Sequence, residues 1–340
     1  MKETKVAILG YGGIARQHLA GIGALAERGL PIRCVAVCDR DPNQFEAELK
    51  INIDNSGASL EGVNLYTDLD EMLAKEDVTY VDICLPSFLH KEYAVSLLRR
   101  GYHVFCEKPM ALNGADCEEM IAAAEESGKH LMIGQCLRFE PAYLALKELV
   151  DSGEYGNVRI MHCDRLSMPA VWGSNGWYLK NSRVGGSMME VGIHDFDMAV
   201  YLFGAPSKVS AVSLGGEALH AWANTRFLYD DGKIVTCNCG WIDSPTFVFK
   251  AAYHVTFDKA TVIFDGKDAV HVYPAEGDPY DILPANINYM AEEILYFAEI
   301  VSGDRVNEIM PTASTKCTVE LVNALQKSAE QGGVVLDFYS

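Results

Sequence analysis

The stretch Lys5-Val6-Ala7-Ile8-Leu9-Gly10-Tyr11-Gly12-Gly13-Ile14-Ala15 decides the fold of the N-terminal half of this chain. Lys5 to Leu9 read as a buried strand, and the glycines that follow open a helix. In the pattern G-x-G-x-x-A, the first glycine makes a tight turn and the second lets backbone approach a pyrophosphate. We therefore expect a dinucleotide to bind at Gly10, Tyr11, Gly12, Gly13, Ile14 and Ala15.

An acidic residue stands where such a site needs one. Asp39 follows an apolar strand over 33–38 and lies close to the position expected after the glycine motif. Its carboxylate can accept hydrogen bonds from the adenosine ribose and repels a 2′-phosphate, which favours NAD over NADP. Arg40 comes next, and its guanidinium could stack on adenine, hold a 2′-phosphate or simply be a solvated loop charge. We assign both residues to the cofactor site.

Strands and helices alternate through residues 1–135. Beyond the glycine turn and its helix over 10–26, the pattern predicts helices over 69–75, 90–100 and 115–127. Further strands are expected over 80–85, 103–106 and 130–134. Such alternation is typical of a parallel sheet with right-handed crossovers. We predict an α/β Rossmann domain for residues 1–135.

The rhythm changes after residue 136. Helices are expected over 141–152 and 187–203, and a loop rich in Gly, Trp and Asn spans 169–186. A run of strands follows from 207 to 273, and helices over 287–302 and 312–331 close the chain. We predict a C-terminal α+β domain, residues 136–340, with a large, mostly antiparallel sheet that is open on one face. The last helices can pack back on the first domain.

Composition narrows the classes of partner. The chain has 340 residues and a formal net charge of -19, and such an acidic surface repels phosphate backbones and anionic lipid. No apolar run approaches the ~20 residues of a membrane span, and the first residues lack a secretory signal. We expect a cytoplasmic protein that binds neither nucleic acid nor membrane.

The ten cysteines do not form a metal-binding pattern. No C-x-x-C occurs, and Cys237 and Cys239 form a C-x-C pair on one predicted strand with no second ligand pair in view. We expect reduced, buried thiols and no metal site.

Glu107-Lys108-Pro109 turns the cofactor prediction into one about chemistry. The tripeptide follows an apolar strand that ends at Cys106. A lysine at the carboxyl end of such a strand points into the ligand crevice, where an ammonium can bind a hydroxyl or handle a proton. Farther along, Glu190 and His194 are i,i+4 on a predicted helix face, so that the carboxylate could orient the imidazole.

At this point the chain resembles the Gfo/Idh/MocA oxidoreductases over essentially its whole length. The ordered markers are the glycine motif, Pro86 with His90 and Glu92, the segment Gly101–Pro109, and the segment Gly185–Asp197. The resemblance implies a Rossmann domain followed by a domain whose open sheet face makes oligomers. A homodimer or homotetramer is therefore expected.

The resemblance also implies hydride transfer between nicotinamide and a CH–OH carbon of a sugar, cyclitol or derivative. Lys108 matches the family lysine, and His194 matches the histidine that accepts the proton in inositol-dehydrogenase-like members. Glu190 stands where the best-known members carry Asp, which leaves the substrate open. The expected catalytic residues are Lys108, His194 and Glu190.

The remaining site residues come from the same motifs. Expected cofactor contacts beyond the glycine motif are Asp39, Arg40, Pro86, His90, Glu107 and Lys108. Expected substrate contacts are Lys108, Arg138, Trp177, Glu190 and His194. Two other functions stay open: an NAD-dependent glycosidase, which oxidises a sugar transiently and consumes no net cofactor, and a non-catalytic dinucleotide sensor.

Overall fold

A computed structural model describes residues 2–47, 57–168, 185–215, 221–242, 244 and 246–338. Contacts between Cα atoms divide these residues into two compact units. The first unit contains the residues up to Cys136 together with Asn288–Thr315. The second unit contains the described residues between 137 and 287 and those from Lys316 onward.

The first unit is built on a six-stranded parallel sheet. Its strands are β1 (Thr4–Leu9), β2 (Ile32–Cys38), β3 (Asn64–Tyr66), β4 (Tyr80–Ile83), β5 (His103–Glu107) and β6 (Leu131–Gly134). Their order in the sheet is β3-β2-β1-β4-β5-β6. This order places a topological switch point between β1 and β4, where the carboxyl ends of the strands form a ligand crevice in doubly wound folds. The predicted parallel α/β sheet is confirmed.

Helices of the first unit follow the strands in alternation. They are α1 (Gly13–Glu27), α2 (Leu69–Lys75), α3 (His90–Arg99) and α4 (Gly114–Ser127). The buried positions of α1 include Ala15, Leu19, Ile22 and Leu25, which recur at helical spacing on one face. His18 lies on this same buried face, and its partners are described with the site.

A helix from late in the chain completes the first unit. This helix, Tyr289–Ser302, is α7 in chain order, and it packs on α1. A Cβ on Gly21 of α1 would lie 3.3 Å from Ile294 Cδ1, so the glycine lets the two helices approach closely. Phe297 stacks on Phe105 and meets the edge of Tyr80, which ties α7 to the sheet.

The second unit carries a nine-stranded, mostly antiparallel sheet. Its strands are β7 (Val158–Ser167), β8 (Lys208–Leu214), β9 (Trp222–Leu228), β10 (Ile234–Trp241), β11 (Lys250–Phe257), β12 (Ala260–Phe264), β13 (Val270–Pro274), β14 (Tyr280–Ile282) and β15 (Leu336–Asp337). The order is β14-β13-β12-β11-β7-β10-β9-β8-β15, and β7 pairs in parallel with β10. The expected mostly antiparallel sheet is confirmed.

Side chains alternate between the two faces of this sheet. Cys163, Cys237 and Thr225 share one rung and are buried, whereas Asp164 and Asn238 on the next rung are partly exposed. Helices α5 (Pro141–Ser152) and α6 (Ile193–Phe203) belong to this unit, and α8 (Thr312–Glu330) follows α7 in the chain.

The structure departs from the predicted helix over 187–203. Met188–Gly192 forms a π-helical turn, and α6 begins only at Ile193. A π-turn closes i→i+5 rather than i→i+4 hydrogen bonds, and such turns are frequent at functional sites. The short strands β3, β14 and β15 were also not predicted. No helix in the described part of the chain is long and apolar enough to cross a membrane.

Candidate active site

The glycine turn has the shape that a dinucleotide requires. Gly10 has φ +92°, and a Cβ there would lie 2.7 Å from the backbone oxygen of Cys84. Only glycine therefore fits between β1 and the chain after β4. A Cβ on Gly12, by contrast, would meet no described atom within 4 Å. The backbone at Gly12 is thus open to an approaching phosphate at the start of α1.

Asp39 fixes this turn from the end of β2. Its Oδ2 accepts a hydrogen bond from Tyr11 N at 2.8 Å, and its Oδ1 accepts one from Asp41 N at 2.9 Å. Each carboxylate oxygen keeps a further lone pair for a ribose hydroxyl. Arg40 beside it is exposed. The glycine turn, α1 and Asp39 together fit a dinucleotide.

Lys108 lies where β5 ends, at the carboxyl edge of the sheet. Its side chain is half-buried, and the Lys108–Pro109 peptide bond is cis. Pro86 lies at the corresponding end of β4, half-buried, ahead of a short 3-10 turn over Ser87–Leu89.

His90 is directed at the backbone of these two strand ends. It is 1% exposed, its Nδ1 lies 2.7 Å from Pro109 O and its Nε2 lies 2.8 Å from Leu85 O. The resemblance implied a cofactor contact for His90. The structure shows His90 bridging the turn after β4 and the turn after β5, and its contact with a cofactor stays a prediction.

Glu107 turns toward the interior of the first unit, and its contact with a cofactor stays a prediction. The carboxylate is buried, with Oε1 at 3.1 Å from His18 Nε2 and Oε2 accepting from Lys108 N at 3.1 Å. His18 Nδ1 in turn lies 2.7 Å from Asp82 Oδ2 on β4. Sequence reasoning singled out neither His18 nor Asp82, although a histidine on the apolar face of α1 and an aspartate inside an apolar strand were both visible signals.

The His18 imidazole is set up to carry a proton on each nitrogen. Burial alone would lower the pKa of His18, but the charge of Asp82, with smaller contributions from Cys84, outweighs it and raises this pKa well above the usual 6.5. His18, Asp82 and Cys84 also have ligand atoms within 4.8 Å of one another, a spacing that a metal ion could bridge. A doubly protonated imidazole, however, has no lone pair for a metal.

His194 lies in the first turn of α6, directly after the π-turn. His194 is half-buried and Glu190, inside the π-turn, is 8% exposed. Because the π-turn intervenes, positions four apart no longer superpose as in a regular α-helix, and the same-face argument for this pair is weakened. Gly192 packs so closely that a Cβ would lie 2.7 Å from Cys239 Sγ.

Two buried ion pairs hold Asp195 and Asp197, which come shortly after His194 in the sequence. Arg138, which is fully buried, donates from Nε and Nη2 to the two carboxylate oxygens of Asp197, both at 2.7 Å. Arg165 on β7 donates from Nε to Asp195 Oδ2 at 2.7 Å. Thr318 adds a hydrogen bond to Asp197 Oδ1 at 2.9 Å. These contacts hold α6 in one orientation within the second unit.

The structure places the guanidinium of Arg138 against Asp197 and 4.8 Å from the ring centre of Tyr201. The substrate contact that the resemblance implied for Arg138 stays a prediction. Sequence reasoning missed Arg165 and Thr318, since their roles depend on contacts between distant segments. Trp177, the remaining predicted substrate contact, lies outside the described residues.

The fold and these two sites define a class. A doubly wound sheet whose first βα connection is a glycine turn is typical of dinucleotide-binding proteins. The chain belongs to the GFO/IDH/MocA oxidoreductase family. Residues 4–135 match its NAD-binding Rossmann fold, and residues 143–263 match its C-terminal domain.

Relatives with described activities include two curated bacterial enzymes. The 2,7-anhydro-N-acetylneuraminate hydratase of Mediterraneibacter gnavus is 31% identical over 65% of this chain and 54% of its own length. The inositol 2-dehydrogenase of Salmonella typhimurium is 35% identical over 46% of this chain and 44% of its own. The matched part thus spans about half the length of each.

Solved structures resemble the chain along nearly all its length. The aldose-aldose oxidoreductase of Caulobacter crescentus, complexed with glycerol, has a TM-score of 0.83 at 25% identity and covers 99% of this chain and 100% of its own. A levoglucosan dehydrogenase with NADH and levoglucosan gives 0.83 at 19% identity, with coverage of 99% and 100%. The second likeness shows the fold alone.

Proposed function

We propose that this protein is a nicotinamide-dependent dehydrogenase that acts on a CH–OH carbon of a sugar, cyclitol or derivative. The observation that carries the proposal is Lys108 at the carboxyl end of β5, in the same sheet as the glycine turn after β1. Ligands of doubly wound sheets bind at this edge. Family membership and sugar- or inositol-directed relatives support the substrate class.

Three side chains do the chemistry in this proposal. A bound nicotinamide would supply or take up the hydride. Lys108 donates a hydrogen bond to the reacting oxygen and stabilises the negative charge that develops there. His194 accepts the hydroxyl proton during oxidation and returns it during reduction. Glu190 binds a substrate hydroxyl or orients His194.

Substitution of the two central residues tests this mechanism. Lys108→Ala and His194→Ala should each lower kcat by about 10²–10⁴-fold, the usual contribution of an acid or base. Lys91→Ala and His162→Ala are matched controls, since Lys91 pairs at the surface with Glu119 and His162 lies partly exposed on the open sheet face. NADH binding, followed by fluorescence, should persist in all four variants. Near-normal turnover in Lys108→Ala or His194→Ala removes that residue from the mechanism.

The proposal includes a preference for NAD over NADP. It is supported by Asp39, whose carboxylate lies at the end of β2 and would repel a 2′-phosphate. Asp39→Asn keeps an acceptor for Tyr11 N but removes the negative charge. The kcat/KM with NAD divided by the kcat/KM with NADP should therefore fall. A wild-type enzyme that prefers NADP would contradict the assignment.

A second function is favoured by one relative. The matched hydratase acts, by its name, on an anhydro sugar. An enzyme that oxidises its substrate transiently, with no net redox change, could catalyse such a reaction. Polyols and aryl glycosides should be screened in parallel with NAD. Net NADH formation supports the dehydrogenase, aryl release without net NADH supports the glycosidase-like reaction, and tight NAD binding without turnover supports a sensor.

We further propose that the open sheet face makes a homodimer or homotetramer. Ile160, Val212 and Leu214 lie on this face and are 49%, 55% and 71% exposed. Apolar groups at such exposure favour a protein partner. Val212→Glu should shift the mass measured by light scattering to that of a monomer, and an already monomeric wild type would refute the proposal.

Reduced thiols support a cytoplasmic location as part of the proposal. All ten cysteines, each within the described residues, are thiols, and nine are buried. Such usage fits a reducing compartment. Fractionation of the native host tests it, and recovery in an oxidising compartment would contradict it.

A further inference from the structure

A buried histidine lies directly beneath the Glu107-Lys108-Pro109 tripeptide. His18 is fully buried on the inner face of α1 and stacks on Phe105 with ring centres 5.5 Å apart. Its two nitrogens meet two different carboxylates, Asp82 from β4 at 2.7 Å and Glu107 from β5 at 3.1 Å. One side chain therefore joins a helix to two strands.

Hydrogen-bond counting favours a proton on each nitrogen of this ring. An ionised carboxylate can only accept hydrogen bonds, so between two ionised carboxylates each nitrogen of His18 needs its own N–H. The imidazolium donates in both directions. The titratable groups that face it are Asp82, Cys84 and Tyr80 from β4 and its end, and Glu107 from β5.

This contact continues to the backbone of Lys108. Glu107 uses Oε1 for His18 and Oε2 for Lys108 N, the latter at 3.1 Å. Gly134 on β6 leaves the space for this carboxylate, because a Cβ there would lie 2.9 Å from Glu107 Oε1. An unbroken chain of charge-assisted hydrogen bonds thus runs from Asp82 through His18 and Glu107 to Lys108.

We propose that His18, as an imidazolium, is a positioning residue that sets the orientation of Lys108 through Glu107. This rests on the proposed function, in which Lys108 meets the reacting oxygen. His18 touches neither substrate nor cofactor in this scheme. Because His18 sits on the helix that opens at the glycine turn, the same chain of contacts couples the cofactor-binding end of α1 to the lysine.

Stability alone is a poor account of such a cluster. Replacing a buried ionic cluster by apolar residues of similar volume is often neutral or stabilising. The geometric precision that a reacting group requires is a better account, since a displacement of about 1 Å can lower a rate on the order of 10²-fold.

Two amide substitutions separate the roles of the ring nitrogens. A glutamine amide nitrogen reaches the place of Nε2, whereas an asparagine amide nitrogen reaches the place of Nδ1. His18→Gln therefore keeps the donor to Glu107, and His18→Asn keeps only the donor to Asp82. We expect kcat within about 10-fold of wild type for His18→Gln and on the order of 10²-fold lower for His18→Asn, with the KM for NAD little changed.

Tyr80→Phe is the matched control in the same core. Tyr80 is fully buried on β4, and its hydroxyl has no hydrogen-bond partner among the described residues. Its substitution disturbs the same sheet but removes no hydrogen bond from the chain of contacts, so kcat should stay at the wild-type value. Equal losses of kcat in folded His18→Gln and His18→Asn would overturn the proposal.

Nuclear magnetic resonance of the wild-type protein gives a readout that needs no substrate. With ¹⁵N-labelled histidine, both His18 nitrogens should be protonated at pH 7. A neutral ring, or stoichiometric binding of Zn²⁺ added alone, would overturn the proposal even where the variants do not fold. Absence of turnover on every polyol, with a doubly protonated His18, would instead count against the proposed function and leave this chain of contacts standing.

Discussion

The residues around Lys108 and those around His194 are both fixed by buried charges, but the two networks differ in kind. Beneath Lys108, a single imidazole contacts two carboxylates through one atom each. Close to His194 in sequence, Arg138 donates two parallel hydrogen bonds to Asp197, and Arg165 donates to Asp195. A guanidinium keeps its proton at any working pH, whereas an imidazole does not.

This difference teaches how each region should respond to perturbation. Bidentate arginine–carboxylate pairs combine charge with a fixed planar geometry, so they should act as rigid braces. The His18 cluster depends on a proton that can leave, so it should respond to pH. Each network lies within its own unit of the structure, which lets the two be tested separately.

The largest effect is expected from breaking the Arg138–Asp197 ion pair, which we call the arginine brace. Arg138→Met leaves Asp197 buried with its charge uncompensated, apart from the Thr318 hydroxyl. Loss of one partner of such a pair costs about 3–5 kcal/mol of unfolding free energy. Urea unfolding followed by circular dichroism measures it.

The control for this brace is an exposed pair. Lys75→Ala removes the surface contact with Glu71 on α2 and should cost no more than about 0.5 kcal/mol. Arg138→Met with Asp197→Leu removes both charges and should recover much of the loss. If Arg138→Met were as mild as Lys75→Ala, the brace would not be a structural element.

The pH dependence of stability distinguishes the two networks. The pKa of His18 is raised well above its unfolded value of 6.5, against the effect of burial and by the charge of Asp82. Its stabilisation is therefore complete below pH 6.5 and is lost as pH rises toward the raised value. Within that window, the stability gap between wild type and His18→Gln should shrink by up to about 1.4 kcal/mol per pH unit.

Arg138→Met provides the contrast, because its stability gap should stay constant across the same pH range. Urea midpoints of both variants at successive pH values make the comparison. A gap for His18→Gln that is also flat would show that His18 does not gain a proton on folding.

Much of the first unit could be predicted from sequence because its constraints are local. The glycine turn at Gly10–Ala15 and Asp39 follow from what backbone and a carboxylate can do at fixed spacing. Helix α2 (Leu69–Lys75) is bounded as predicted, since it begins at a capping Asp68. In the second unit, β10 and β11 lie within the run of strands predicted over 207–273.

The rest depends on contacts that no local pattern encodes. Arg138 and Asp197 meet across 59 positions, and His18 and Asp82 across 64. Strand β15 exists only because Leu336 pairs with Val209 far away. The π-turn at Met188–Gly192 inserts a residue that helical periodicity does not anticipate.

The smallest expected effect tests the chain of contacts from His18 to Lys108 without removing any charge. In Gly134→Ala the new Cβ would approach Glu107 Oε1 to 2.9 Å, so the carboxylate must shift from its place between His18 and Lys108 N. Overpacking of this size should cost about 1 kcal/mol of unfolding free energy. If Lys108 is oriented through Glu107, kcat should fall on the order of 10-fold, because a sub-ångström displacement reaches the reacting group.

Gly23→Ala on α1 is the matched glycine substitution, since a Cβ there meets no described atom within 4 Å. It should be neutral or stabilise the helix by up to about 1 kcal/mol, with kcat unchanged. Full turnover in Gly134→Ala, at the expected small loss of stability, would mean that Lys108 keeps its orientation without the Glu107 contact. The region around Lys108 would then be as insensitive to its buried charges as a purely structural core, and the contrast with the arginine brace would disappear.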